Sequence, residues 1–155
     1  MSSEKRKIAY IDGKPYEIGA NHTSILKFVK SYVGEKKVPT LCDDPNLAPY
    51  GACRVCSVEV ALEKDGPTRM VASCHTPVAE NQHIFTSNEA ITNLRKNIVE
   101  LVLTDHPMEC DSCEVNNNCE LQTVANDLGI SDHRYNSPKQ HKGIPRDTSH
   151  DYMRM

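Results

Sequence analysis

Two strand pairs on either side of an amphipathic helix, one further strand, and then a switch to helical period predict an α+β protein. The expected architecture is a β-grasp sheet wrapped on one helix, followed by a small helical subdomain. Three observations carry this. Apolar and polar side chains alternate in two hairpin-like stretches, apolar residues recur at helical spacing in SILKFVKSYVG, and the period changes from two to three and four at Thr86.

The stretch KIAYIDGKPYEIG turns on Asp12-Gly13, a dipeptide suited to the positive φ angles of a tight hairpin. Thr23 is the expected N-cap of the first helix, whose face is Ile25, Leu26, Phe28, Val29 and Tyr32 and whose end is Gly34. A proline-bearing loop follows. SVEVALEKDGPTRMVASC then reads as a second hairpin around Lys64-Asp65-Gly66, and QHIFT as a last strand. Thr86 and Glu89 form a capping-box pattern for a helix from about Ser87 to Thr104, with Ile91, Leu94, Ile98 and Leu101 expected against the sheet. A shorter helix near Glu120 to Leu128, with Leu121, Val124 and Leu128 as its face, should stop at Gly129. The expected division is 1–86 for the β-grasp domain, 87–130 for the helical subdomain and 131–155 for an extended polar tail.

Of 155 residues, 38% are apolar and only 5% aromatic, with no Trp and two Phe, so the core is thin and something besides burial should support it. A net charge of −3 without a basic stripe argues against a nucleic-acid surface, which needs clustered cations against phosphate. The opening MSSEKRKIAYIDG has no apolar targeting core, and no apolar run approaches bilayer length. These features lead us to expect a cytoplasmic chain in a reducing compartment, with no direct membrane insertion. Seven cysteines cannot all pair as disulfides, and metal ligation accounts for them better.

Cys42, Cys53, Cys56 and Cys74 follow the pattern C-x10-C-x2-C-x17-C, with the tight pair inside YGACRVCSVEV. Two thiolates so spaced grip one centre while the backbone between them turns amides toward sulfur, and Gly51 lets the main chain pass close. Four thiolates also suit structural zinc, but zinc ribbons bring two short-spaced pairs. One pair flanked by two distant cysteines in a β-grasp pattern matches a variant [2Fe–2S] ferredoxin loop better.

In HPMECDSCEVNNNCEL, Cys110, Cys113 and Cys119 are one ligand short of four, and His106 completes H-x3-C-x2-C-x5-C. A histidine capping helix carbonyls is the plainer alternative, and a Cys3His zinc knuckle another. Pro107 weighs against a mere cap, because it stops the helix and lets the imidazole reach back over the loop. His22, His75, His83, His133, His141 and His150 lack such spacing and are expected at surfaces or turns, with His75 beside Cys74. Arg54 inside the tight pair is expected in solvent. Residues 104–130 hold six acids and no Lys or Arg, the pattern of a solvated or docking face.

Through GACRVCSVEV, VASCHTPV and DHPMECDSCEVNNNCELQ, the chain resembles the N-terminal iron–sulfur region of the respiratory complex I large subunit. NAD-linked formate dehydrogenase alpha subunits, [FeFe] hydrogenases and NAD-reducing hydrogenase diaphorase subunits share that region. The resemblance implies a [2Fe–2S] cluster on Cys42, Cys53, Cys56 and Cys74, and a [4Fe–4S] cluster on His106, Cys110, Cys113 and Cys119. In the family, the stretch resembling DTSHDYMRM leads into further cluster motifs and a catalytic domain, whereas this sequence ends at Met155. A standalone subunit and a fragment of a longer protein both fit. The tail RYNSPKQHKGIPRDTSHDYMRM looks most like formate dehydrogenase alpha subunits.

The expectation is an electron-transfer module of an NAD(P)-linked oxidoreductase, passing single electrons between a flavin- and NAD(H)-binding subunit and a catalytic subunit. A structural zinc-binding interaction module is the alternative. No Gly-rich dinucleotide fingerprint, nucleophile–base pair or open-site metal triad marks a catalyst in its own right.

Overall fold

The computed structural model describes residues 6–106, 108–132, 134 and 135. Strands β1 (Ile8–Ile11) and β2 (Lys14–Glu17) form the first hairpin, with Asp12 at φ +49° and Gly13 at φ +83° supplying the turn. Strands β3 (Ser57–Ala61) and β4 (Arg69–Ala72) form the second, and β5 (His83–Phe85) joins the two. The sheet order is β2-β1-β5-β3-β4, antiparallel except where β5 runs parallel to β1. This closes the expected β-grasp arrangement.

Helix α1 (Ile25–Val33) lays Ile25, Leu26, Phe28 and Val29 on the sheet, where they meet Ala9, Ile11, Val58, Val60 and Ile84. Its N-cap is Ser24 rather than Thr23, since the Ser24 hydroxyl accepts from the Lys27 amide. Tyr32 lies at the rim of that face and donates its hydroxyl to the Glu17 carbonyl at 2.7 Å. Gly34, at φ +100°, ends the helix and returns its amide to the Lys30 carbonyl.

Helix α2 (Glu89–Thr104) starts later than the capping-box pattern suggests. Asn88 is the cap, accepting from the Ile91 amide, while Thr86 donates its amide and hydroxyl to the Asp12 carboxylate at 2.8 and 2.6 Å. The buried stripe also differs from expectation. Ile91, Arg95, Val99 and Leu103 face inward, Leu94 and Ile98 are half-buried, and Leu101 is exposed. Helix α3 (Glu120–Asp127) buries Val124 and Ala125, with Leu121 and Leu128 packed beside them, and stops at Gly129 as expected.

A second, smaller core joins α2 and α3 to the loop before β3: Val55, Val99, Leu103, Val124, Ala125 and Ile130, with Leu41 and Cys53 against it. Of the expected tail, residues 131, 132, 134 and 135 are described. Arg134 pairs with Glu100 at 2.7 Å and hydrogen-bonds Asn97, tying this stretch to α2. The remainder of the tail, with His133, His141 and His150, and Pro107, lie outside the described residues. No helix among the described residues is long and apolar enough to cross a membrane.

Candidate metal centres

The first cysteine set sits where the sheet framework meets the loop from residue 38 to 56. Cys56 directly precedes β3, and Cys74 follows β4 by two residues, so the antiparallel pairing of Ser57 with Ala72 draws the two together. Ser73 reinforces this by donating its hydroxyl to the Cys56 carbonyl at 2.7 Å. The first amides of α1 find their acceptors in the same turn, Ile25 on the Thr76 carbonyl and Leu26 on the Ser73 carbonyl, both at 2.9 Å. Helix α1 thus braces Cys74. On the other side Lys30 reaches Asp43 at 3.4 Å and Glu35 at 3.1 Å, fastening the loop next to Cys42.

Within this frame Cys42 hydrogen-bonds with Cys53 and Cys56 with Cys74. Burial pushes the Cys42 thiol up, but the amides of Cys53, Ala52 and Cys42 itself, with the Cys53 thiol, outweigh it and leave it below its ordinary value. Burial raises Cys53 despite the Val55 amide. Cys74 is pushed up to about 12 by burial, then by Cys56 and by the charges of Cys42 and Asp43. Burial thus holds the Cys53 and Cys74 thiols against ionisation, a cost that a positively charged iron–sulfide core would relieve by taking them as thiolates. The donor set, with amides aimed at sulfur, fits a [2Fe–2S] group.

Gly51 and Arg54 shape the loop between the cysteines. Gly51 has φ +71°, and a Cβ there would stand 3.2 Å from the Ala72 Cβ. The loop therefore requires glycine twice over, for conformation and for space. Arg54 adopts φ +62° with its side chain in solvent, and its carbonyl accepts from the Ser57 hydroxyl at 2.7 Å. His75 meets the Pro49 carbonyl through Nδ1 at 3.1 Å and so touches the loop rather than a thiol.

The second set lines one cavity of about 300 Å³. His106, Cys110, Cys113 and Cys119 share its walls with Leu103, Met108, Leu121, Ala125 and Ile130. Helix α2 ends at Thr104, two residues before His106, whose own amide bonds the Leu103 carbonyl at 3.1 Å. Cys110 and Cys113 flank a 3₁₀ turn closed by the Cys113 amide on the Cys110 carbonyl at 3.1 Å. Cys119 is the N-cap residue of α3. The polar turn before it is held by Gln122, which accepts from the Asn117 amide and donates to Asn116, both at 2.9 Å. Three thiols and an imidazole around a largely apolar cavity fit a [4Fe–4S] group.

All seven cysteines are free of disulfides. Among the described residues, no group of three or more His, Cys, Asp or Glu side chains is placed to hold a single metal ion. Sequence reasoning missed Arg95, which sits on the buried face of α2 and donates to the Ser57 carbonyl at 2.8 Å. Its signal was its place in a stripe with Ile91 and Val99, hidden because arginine is counted as polar.

Residues 7–89 match the model of the 2Fe-2S iron–sulfur cluster binding domain, and residues 95–134 that of the NADH-ubiquinone oxidoreductase-G iron–sulfur binding region. The chain is 34% identical over 137 residues to the NADPH-Fe(3+) oxidoreductase subunit alpha of Geobacter sulfurreducens (strain DL-1 / KN400), covering 88% of this chain and 15% of that one. It is 35% identical over 133 residues to a subunit of the NADH-quinone oxidoreductase of Escherichia coli (strain K12), covering 84% of this chain and 14% of that one. It therefore spans about a seventh of the length of these relatives. Its fold matches a crystal structure of NAD+-reducing [NiFe]-hydrogenase in the H2-reduced state with a TM-score of 0.73, at 23% identity, over 94% of this chain and 57% of that chain. Both matching models describe iron–sulfur binding, so the zinc alternative is not favoured. The chain belongs to the 2Fe-2S iron–sulfur cluster binding domain family and continues into a 4Fe-4S binding region, the two together making an iron–sulfur electron-transfer module.

Proposed function

We propose that this module relays single electrons between a flavin- and NAD(H)-binding subunit and the catalytic centre of a larger oxidoreductase of the complex I, formate dehydrogenase or hydrogenase type. In this reading residues 1–86 are the [2Fe–2S] unit, held by Cys42, Cys53, Cys56 and Cys74. Residues 87–130 are the [4Fe–4S] unit, held by His106, Cys110, Cys113 and Cys119.

The observation that carries the reading is the small core between the two sets. Cys53 packs on Val55, Val99 and their neighbours, while Leu103, Ala125 and Ile130 of the same core line the cavity of the second set. Densely packed apolar side chains keep water out between the two sites and hold them in a fixed relation. Iron–sulfur groups exchange electrons one at a time, so two-electron chemistry belongs to a flavin or another centre outside this chain. His106 brings a neutral imidazole where a thiolate would add negative charge, which favours a higher potential at the second site.

The test is anaerobic reconstitution followed by EPR-monitored reduction. Dithionite should reduce two distinct clusters, and NADH should reduce neither until a flavin-bearing partner is added. Turnover of NADH, formate or hydrogen by the pure chain, without bound flavin or a catalytic metal centre, would overturn the relay. In the same assay His106→Cys should keep the second cluster at a lower potential, and His106→Ala should lose it.

A further inference from the structure

Arg95 is a buried cation with no carboxylate partner among the described residues. It is 5% exposed, flanked along its helix face by Ile91 and Val99, both 0% exposed. Nη2 donates to the Ser57 carbonyl at 2.8 Å, but the buried Nε has no hydrogen-bond partner, and no carboxylate forms an ion pair with Arg95, among the described residues. Native folds rarely leave a buried charge uncompensated. The ionisable group that acts on it is Cys56, one residue before Ser57. Burial lowers the guanidinium to about 10, with Cys56 acting in the opposite direction, so Arg95 stays cationic at neutral pH.

We infer that Arg95 is the built-in counter-cation of the first cluster, a positioning residue that holds Cys56 through Ser57 and raises the cluster's reduction potential. The inference rests on Cys56 being a ligand of that cluster. One electron delivered by a donor makes the site one unit more negative, and a fixed cation in a poorly screened interior stabilises the reduced state more than the oxidised one. A helix-to-strand staple through Ser57 would account for Nη2. It would not account for a guanidinium buried with no other anion and an idle Nε.

The test is potentiometry of the fully loaded chain, followed by EPR, with dithionite as reductant. Arg95→Met removes charge and donor, Arg95→Gln keeps a donor without charge, and Arg95→Lys keeps charge. The Met and Gln variants should shift the reduction equilibrium of the first cluster about tenfold or more toward the oxidised form, about 59 mV lower for one electron. Lys should stay within about threefold of the parent by the same measure. The second cluster should move far less, because the helix from Arg95 to Thr104 is about 14 Å long. A parent-like potential in Gln, or a Lys variant displaced as far as Met, would make Arg95 a staple and overturn the inference. Should Met not fold, the Gln and Lys pair decides alone. Cys56→Ala separates the two levels. Retention of the first cluster's signal in that variant would refute the ligand assignment, whereas its loss beside an unmoved Gln variant would refute the Arg95 role only.

Discussion

The two cysteine sets occupy the same small chain in opposite mechanical circumstances. Cys56 and Cys74 are buried where paired strands end, braced by α1 and by Ser73. Cys110 and Cys119 are half-exposed and Cys113 is exposed, on a 3₁₀ turn and at the start of an eight-residue helix. The first set is positioned by a sheet that folds for its own reasons. The second rests on a core of few side chains, so in the proposed reading a bound cluster would supply much of the order that the sheet supplies to the first. Cysteine-rich sites in one chain can therefore be preorganised at one place and folding-coupled at the next.

The largest effect should come from removing ligands one set at a time. Cys113→Ala should abolish the second cluster while the first keeps its EPR signal and the sheet its thermal transition. Cys56→Ala should abolish the first and also weaken the sheet. Equal losses of sheet stability in the two variants would erase the contrast. Next in size is iron removal. Chelation should speed hydrogen exchange of amides in residues 108–128 by orders of magnitude, since short isolated helices are marginal in water, while β1, β3 and β5 stay protected. Uniform protection loss would contradict the comparison.

A subtler probe is Gly51→Ala, which forces an L side chain into φ +71° against Ala72 and should cost about 1–2 kcal/mol. Its signature is faster loss of the first cluster with the second unchanged, followed by absorbance during slow oxidation. The smallest effect is expected from Asn88→Ala, removing the α2 cap for about 1 kcal/mol. A lowered thermal midpoint with both cluster potentials unmoved would show that α2 serves as scaffold at its N-terminus.

Strands and turns were legible because Asp12-Gly13 and Lys64-Asp65-Gly66 announce hairpins locally and alternation marks their flanks. Helix starts were less so. Thr23-Ser24 and Thr86-Ser87-Asn88 each offer adjacent residues able to cap, and tertiary structure makes the choice. Thr86 is claimed by Asp12, 74 residues away, leaving Asn88 to cap. The buried face of α2 was misread for a related reason. Ile91, Leu94, Ile98 and Leu101 satisfy helical spacing, but so do Ile91, Arg95, Val99 and Leu103, and counting apolar residues cannot prefer a stripe containing arginine. The second set was visible as a spacing, whereas its apolar cavity wall depends on the packing of α2 against α3.

The bond from Thr86 to Asp12 also bears on synthesis. Strand β1 pairs with β2 early, but a two-stranded hairpin alone is marginal, and its other neighbour β5 is translated some seventy residues later. Cys42, Cys53, Cys56 and Cys74 all lie between those partners. The β3–β4 hairpin can draw Cys56 and Cys74 together before β5 is made, but the sheet that encloses all four thiols is incomplete until then. Pairing of β5 then closes the sheet around them. The sheet's two hairpins are thus joined only by the last strand translated, so the frame around the first site is completed late in synthesis.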